Sequence, residues 1–468
     1  MRGDAPAGRR DDAAVPGAET TPVARLGARQ SLFVGVTLFS MFFGAGNLIL
    51  PPLLGVQAGS ESLPALLGFF AAGVGLPVLG IVAVALSGTL RELASRVNPV
   101  FARAFVALVY LAIGPCLAIP RTASTAFEML APLLPGGVSV PAARLGFSVA
   151  FFVVAFALAM RPGRLTRLLG RVTGPALILL IVAVVGAAAW GLASGAPAAP
   201  APVAPYDGNA AVQGFLTGYQ TMDLLASLTF GLVIASNVRT LGVTEPRGVM
   251  YEVCRAGAVA GVLMMAVYGG LCAVGLELSS ALAGAGNGAV VITESATLHF
   301  GTAGTVMVAA IFLLACLNVC IGLISCCGTY FAGELPRVGY RAWALAFAAF
   351  SCAVSNLGLD AIISFSASLL GALYPPAIVL VVMGMARRAC DSVPAVWPWT
   401  VGVTCAVSAS EALRDALAPA LPLPLDFLPL AEVGLGWVVP AALTAAAVTL
   451  VSLSARRLGA RPSEKELP

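Results

Sequence analysis

Twelve stretches of this 468-residue chain run apolar for about the length of a bilayer crossing, and nearly every charged residue falls in the gaps between them. Several pass the roughly 18 apolar residues that mark a spanning helix. The expected spans are roughly 31–57, 63–88, 103–127, 141–160, 174–194, 214–238, 255–276, 302–331, 342–357, 360–386, 395–413 and 432–454. Only 10% of the residues are charged and 59% are apolar, whereas soluble domains carry about 25% charged residues. A water-soluble globule could not clothe its surface from such a pool. The expectation is an all-α integral membrane protein with about 12 transmembrane helices and the lipid bilayer as its solvent.

Orientation follows from the basic residues. Of the 26 Lys and Arg, 23 fall in alternate gaps and the two tails; only Arg121, Arg144 and Arg414 fall on the opposite side. The positive-inside rule puts the basic side, and both termini, in the cytoplasm. Outer gaps carry acids instead, including Glu61, Asp207, Glu277, Glu294 and Asp360. Residues 1–30 lack an apolar signal-peptide core and read as a disordered cytoplasmic tail, as do 455–468. The outer gap 195–213 reads as an extended Ala/Pro-rich loop, and Val290–His299 as a short helix at the outer mouth. The single His299 cannot build a His-rich metal site. The ten Cys, Cys316 and Cys320 among them, read as small core hydrophobes. No metal, no catalytic residue and no other cofactor is expected. With no basic face interleaved with aromatics, nucleic acid is excluded as a partner, and no obligate protein partner is evident.

Two spans break their own helices. The first carries Gly44 and Gly46 at membrane depth, with Pro51 and Pro52 a turn later removing backbone donors. Unpaired backbone groups in hydrocarbon cost several kcal/mol each, so such a break survives where it lines a cavity or binds something. The sixth span reads Gly218-Tyr219-Gln220-Thr221-Met222-Asp223. Asp223 lies about 13 Å in, at 1.5 Å per residue. An intramembrane carboxylate is expensive and by default a functional candidate. Spans 1 and 6 lead two sets of five with opposite orientation. That is the pattern of an inverted repeat with its site at the repeat interface, as secondary transporters use. The expected division is 31–194 for one repeat, 214–386 for the other, and 387–454 for two appended helices.

In the third span, Arg121 and Glu128 share a helical face. Arg121 reads either as a gate residue paired with an acid or as an arginine snorkelling to the outer interface. Asn318 in the eighth span and Ser364, Ser366 and Ser368 in the tenth read singly as helix–helix contacts. No GxxxxGK[ST] loop, HExxH or GxSxG elbow occurs, so the chain is expected not to be an enzyme, nor an ATP-driven pump by itself.

The stretch Leu38–Gly59, LFSMFFGAGNLILPPLLGVQAG, closely resembles the signature of the bacterial branched-chain amino acid:cation symporters, the LIVCS carrier family. GPCLAIPRTASTAFEM at Gly114–Met129 and GYQTMD at Gly218–Asp223 match in the same order, and LACLNVCIGL at 314–323 matches more loosely. The resemblance implies a plasma-membrane symporter importing leucine, isoleucine and valine with Na⁺, or H⁺ in some members, on a leucine-transporter-like 5+5 inverted-repeat fold. It implies a substrate site at Phe42, Phe43, Gly44, Ala45, Gly46 and Asn47 of the first break and Gln220, Thr221, Met222 and Asp223 of the sixth. It also implies a cation site near Ser40, Phe43, Ala315 and Asn318. Where the family usually shows two threonines, this chain has Asn318 and Val319: one hydroxyl becomes an amide and the other is lost. The ion therefore stays open at this point. An H⁺-coupled carrier for another small apolar amino acid or solute, and a non-transporting membrane sensor, are the competing readings.

Overall fold

The computed structural model describes residues 25–160, 164–194, 198–417 and 427–459, with side chains left out at 164–177, 232, 417 and 455–459. The expectations for the outermost tails, 1–24 and 460–468, lie outside the described residues. All regular structure among the described residues is helical. In chain order the α-helices are α1 (Ala28–Phe42), α2 (Ala45–Ala58), α3 (Ser62–Phe70), α4 (Leu76–Ser87), α5 (Leu90–Ser95), α6 (Pro99–Leu111), α7 (Ala118–Leu130), α8 (Val140–Ala159), α9 (Arg164–Ala193), α10 (Ala210–Tyr219), α11 (Asp223–Thr240), α12 (Pro246–Glu277), α13 (Gly288–Glu334), α14 (Tyr340–Ser355), α15 (Leu359–Met385), α16 (Arg387–Cys390), α17 (Val396–Leu417) and α18 (Val438–Gly459).

Local chemistry sets the boundaries. Asn98 and Asn209 cap α6 and α10 through their side-chain oxygens, which accept from Phe101 N and Val212 N. Gly59, with φ 48°, ends helical geometry between α2 and α3. Helix α1 begins three residues inside the expected tail, and α10 begins at Ala210, inside the segment expected to be loop. The expected mouth helix forms the start of α13, which leaves helical geometry at Gly301 (φ 61°, ψ −156°) before its long apolar run. Two helices that hydropathy alone did not separate, α5 and α16, fill the basic gaps after α4 and α15.

Six helical stretches among the described residues are long and apolar enough to cross a membrane, and the bent pair α10–α11 makes a seventh. Large apolar side chains are exposed on these stretches, with Val153 at 62% and Leu298 at 64%, and on α1 and α9 as well, with Phe33 and Trp190. Contiguous apolar surface of that kind needs a non-aqueous partner, which the bilayer supplies.

The helices pack in a layered bundle of pairwise contacts. Helices α1 and α2 pack on α12, while α10 and α11 pack on α3 and α4. Helix α9 packs on α12 and α13, while α15 packs on α4 and α7. Helix α8 packs on α13, and α14 on α7. Helix α17 lies on α15, and α18 lies on α17.

Candidate functional site

Two interruptions of helical geometry lie against each other deep in the molecule. Phe43 (ψ 91°) and Gly44 (φ −114°, ψ −175°) are extended between α1 and α2. Gln220, Thr221 and Met222 separate α10 from α11, and Met222 adopts the left-handed conformation (φ 63°). The two helices there meet at 48°. A non-glycine residue in the left-handed region is strained and persists where surrounding contacts hold it.

The two interruptions are tied to each other by side chains. The Asn47 amide caps α2 by accepting from Gly44 N at 3.2 Å through Oδ1. Its Nδ2 donates to the Asp223 carboxylate at 2.7 Å and also to the Tyr268 hydroxyl. Tyr268, from α12, donates to the same carboxylate oxygen at 3.1 Å. All three residues are at least 98% buried. On the other wall, Arg121 of α7 donates from Nη1 to the carbonyl of Gln220 at 2.7 Å. Gly46 makes this approach possible, since a Cβ there would lie 2.5 Å from Arg121 Nη1.

Between these groups lies a cavity of about 70 Å³. Its polar lining includes Asn47, Arg121, Thr221 and Asp223, and its apolar lining includes Phe42, Ile113, Met222, Phe230 and Val319. Phe42 and Phe230 pack at 5.7 Å between ring centroids. Of the expected substrate residues, Phe42, Gly44, Ala45, Gly46, Asn47, Thr221, Met222 and Asp223 all line this space. Phe43 is turned into the core against Phe39, and Gln220 contributes its carbonyl to Arg121.

Other expected residues fall elsewhere. Arg121 and Glu128 are not partners: Glu128 takes Arg144 at 3.3 Å. Nor does Arg121 snorkel, with 1% of its surface exposed. None of the four cation candidates lines the cavity. Ser40 is exposed and donates to Thr37 O at 2.8 Å; Val319, not Asn318, faces the cavity. His299 Nε2 lies 3.1 Å from Glu277 at the mouth, Cys316 and Cys320 are buried in an apolar cluster, and no metal-like convergence of His, Cys, Asp or Glu occurs among the described residues.

Several residues of the site escaped the sequence, Tyr268, Phe230 and Ile113 among them. Tyr268 stands alone in the apolar run of α12; a buried tyrosine usually finds a partner for its hydroxyl, and that was the available signal. Phe230 and Ile113 offered none, being apolar residues in apolar helices. The third span is also interrupted: Gly114 is non-helical (φ −104°, ψ −119°) beside Pro115, between α6 and α7.

Branched-chain amino acid transport proteins, as a family, match residues 28–455. The branched-chain amino acid transport system 3 carrier protein of Pseudomonas aeruginosa is 38% identical over 94% of this chain and 99% of its own. The branched-chain amino acid permease BraB of Bacillus subtilis is 34% identical over 89% and 94%. Among solved structures, the inward-facing conformation of Mhp1 superposes with a TM-score of 0.56 at 13% identity, covering 95% of this chain and 96% of that one. At that identity the likeness speaks to fold alone.

Proposed function

The chain belongs to the family of branched-chain amino acid transport proteins, and on that premise we propose that it is a symporter importing leucine, isoleucine and valine with Na⁺ across the plasma membrane, both termini facing the cytoplasm. Its family makes it a membrane carrier rather than an enzyme.

The observation that carries the reading is the cavity at the two helix interruptions, lined by both polar and apolar side chains. Non-helical backbone at membrane depth is tolerated where it lines such a cavity. The starts of α2 and α11 add partial positive charge there, and the ends of α1 and α10 partial negative charge. A zwitterion suits the polar lining, and a branched aliphatic side chain suits Phe42, Met222 and Phe230. Apolar pockets separate substrates by one methylene at only about 1–3 kcal/mol, so the three amino acids should overlap.

The fold supports alternating access. Twelve spans, the first and sixth broken, fit two inverted sets of five with α17 and α18 appended. The packing supports this: exchanging each span with the one five places on turns α1/α2 on α12 into α10/α11 on α3/α4. Two such bundles rocking about a shared site give inward and outward openings. A coupled ion drives the cycle by favouring the outward-open state.

A proton-coupled cycle is the second reading. It is favoured by Asp223, a buried carboxylate whose hydrogen-bonding side chains, Asn47 and Tyr268, are both neutral, and by Val319 standing where a hydroxyl ligand would serve a cation. Leucine uptake into proteoliposomes, with external Na⁺ replaced by choline at fixed pH, decides between them. Sodium coupling predicts at least tenfold slower uptake in choline. Unchanged uptake that follows an imposed pH gradient overturns it.

A further inference from the structure

Two opposite charges stand on the walls of one cavity without touching. Arg121 is 1% exposed, and only its Nη1 is engaged, by the Gln220 carbonyl at 2.7 Å. Its Nε and Nη2 are buried with no hydrogen-bond partner among the described residues. Asp223 takes its two donors, Asn47 and Tyr268, on one oxygen, Oδ2. Arg121 and Asp223 both line the cavity, yet no ion pair joins them, whereas Arg144 and Glu128 nearby do pair.

A buried guanidinium with idle N–H groups is costly to maintain. It is stabilised when an anion arrives, and its planar fork suits a carboxylate. A structural arginine would instead be saturated by carbonyls or an acid from its neighbours. A gate arginine would pair with an acid across the vestibule, and Glu128 is already taken. We propose that Arg121 receives the α-carboxylate of the substrate while Asp223 receives its α-ammonium group, so that the site demands a zwitterion. This assignment rests on the carrier reading above and makes Arg121 the residue that rejects amines lacking a carboxylate.

The test uses the full-length protein in nanodiscs, with labelled leucine displaced by unlabelled leucine, by leucinamide, which lacks the carboxylate, or by 4-methylpentanoate, which lacks the ammonium. Wild type should prefer leucine over each analogue by at least about a hundredfold, because a site built to bond a polar group rejects the analogue without it. Arg121→Gln should shrink the leucine/leucinamide ratio to below about tenfold and leave the leucine/4-methylpentanoate ratio in place. Arg121→Lys should fall between. Leucinamide matching leucine on wild type, or an unchanged ratio in Arg121→Gln that elutes as a folded species, overturns the assignment and leaves the carrier reading standing. Wild type that binds no leucine sinks the carrier reading and the assignment with it. If Arg121→Gln does not insert, the wild-type ratio and Arg121→Lys carry the test.

Discussion

Asp223 holds a carboxylate inside apolar helices with 2% of its surface exposed, satisfied by two side chains from different helices. Replacing it with Asn keeps the shape and removes the charge. Bonds to a charged group contribute about 1.5–3 kcal/mol, which corresponds to a loss of about 10- to 150-fold in leucine transport. Initial uptake rates, normalised to the amount of Asp223→Asn protein in the membrane, check this; wild-type kinetics would remove Asp223 from binding and coupling. Asp223 was legible in the sequence because a carboxylate in an apolar run is costly and needs a reason, and Asn47 came with the family resemblance. Their partnership was not, since Asn47 and Asp223 lie 176 residues apart and nothing local records which helices meet. Arg121 was legible as unusual, but its surroundings were not: Glu128 on the same face pairs with Arg144, and Arg121 meets the Gln220 carbonyl of a distant helix.

Among the elements, Gly and Pro marked where helical geometry would fail. Gly44 stands in the first interruption, and Gly114 beside Pro115 produces a further one in the third span. The sixth span gave a weaker local signal: its interruption contains Gln220, Thr221 and Met222, and only tertiary contacts hold Met222 in a left-handed conformation. Helix α2 is clamped by close backbone approach to α12. A Cβ at Gly275 would lie 2.8 Å from Pro52 C and 3.0 Å from Val56 N, the small-residue packing that membrane interfaces favour. Gly275→Ala should therefore destabilise the protein by about 1–3 kcal/mol through overpacking, read as a lower melting temperature in detergent. Gly322→Ala is the control, with nothing within 4 Å of its added methyl; it should melt at or above wild type. Equal melting of both variants would contradict the close clamping of α2.

For the whole molecule, hydropathy and the alternation of arginines were enough to predict a many-span helical membrane protein, because lipid leaves few alternatives. The proposed repeat was legible only as two helix breaks five expected spans apart. Its physical content is the exchange pattern of contacts, in which α9 on α12 and α13 mirrors α15 on α4 and α7, and contacts between distant helices leave no local trace. The account stands on one claim, that this molecule moves branched-chain amino acids through the cavity between α1/α2 and α10/α11. Counterflow tests it most directly: proteoliposomes preloaded with unlabelled leucine are diluted into labelled leucine with no ion gradient. The account predicts a transient accumulation of label above equilibrium, suppressed by external isoleucine or valine and reduced at least tenfold by Asp223→Asn. Leucine binding without any such overshoot would contradict it and leave a sensor that keeps the fold.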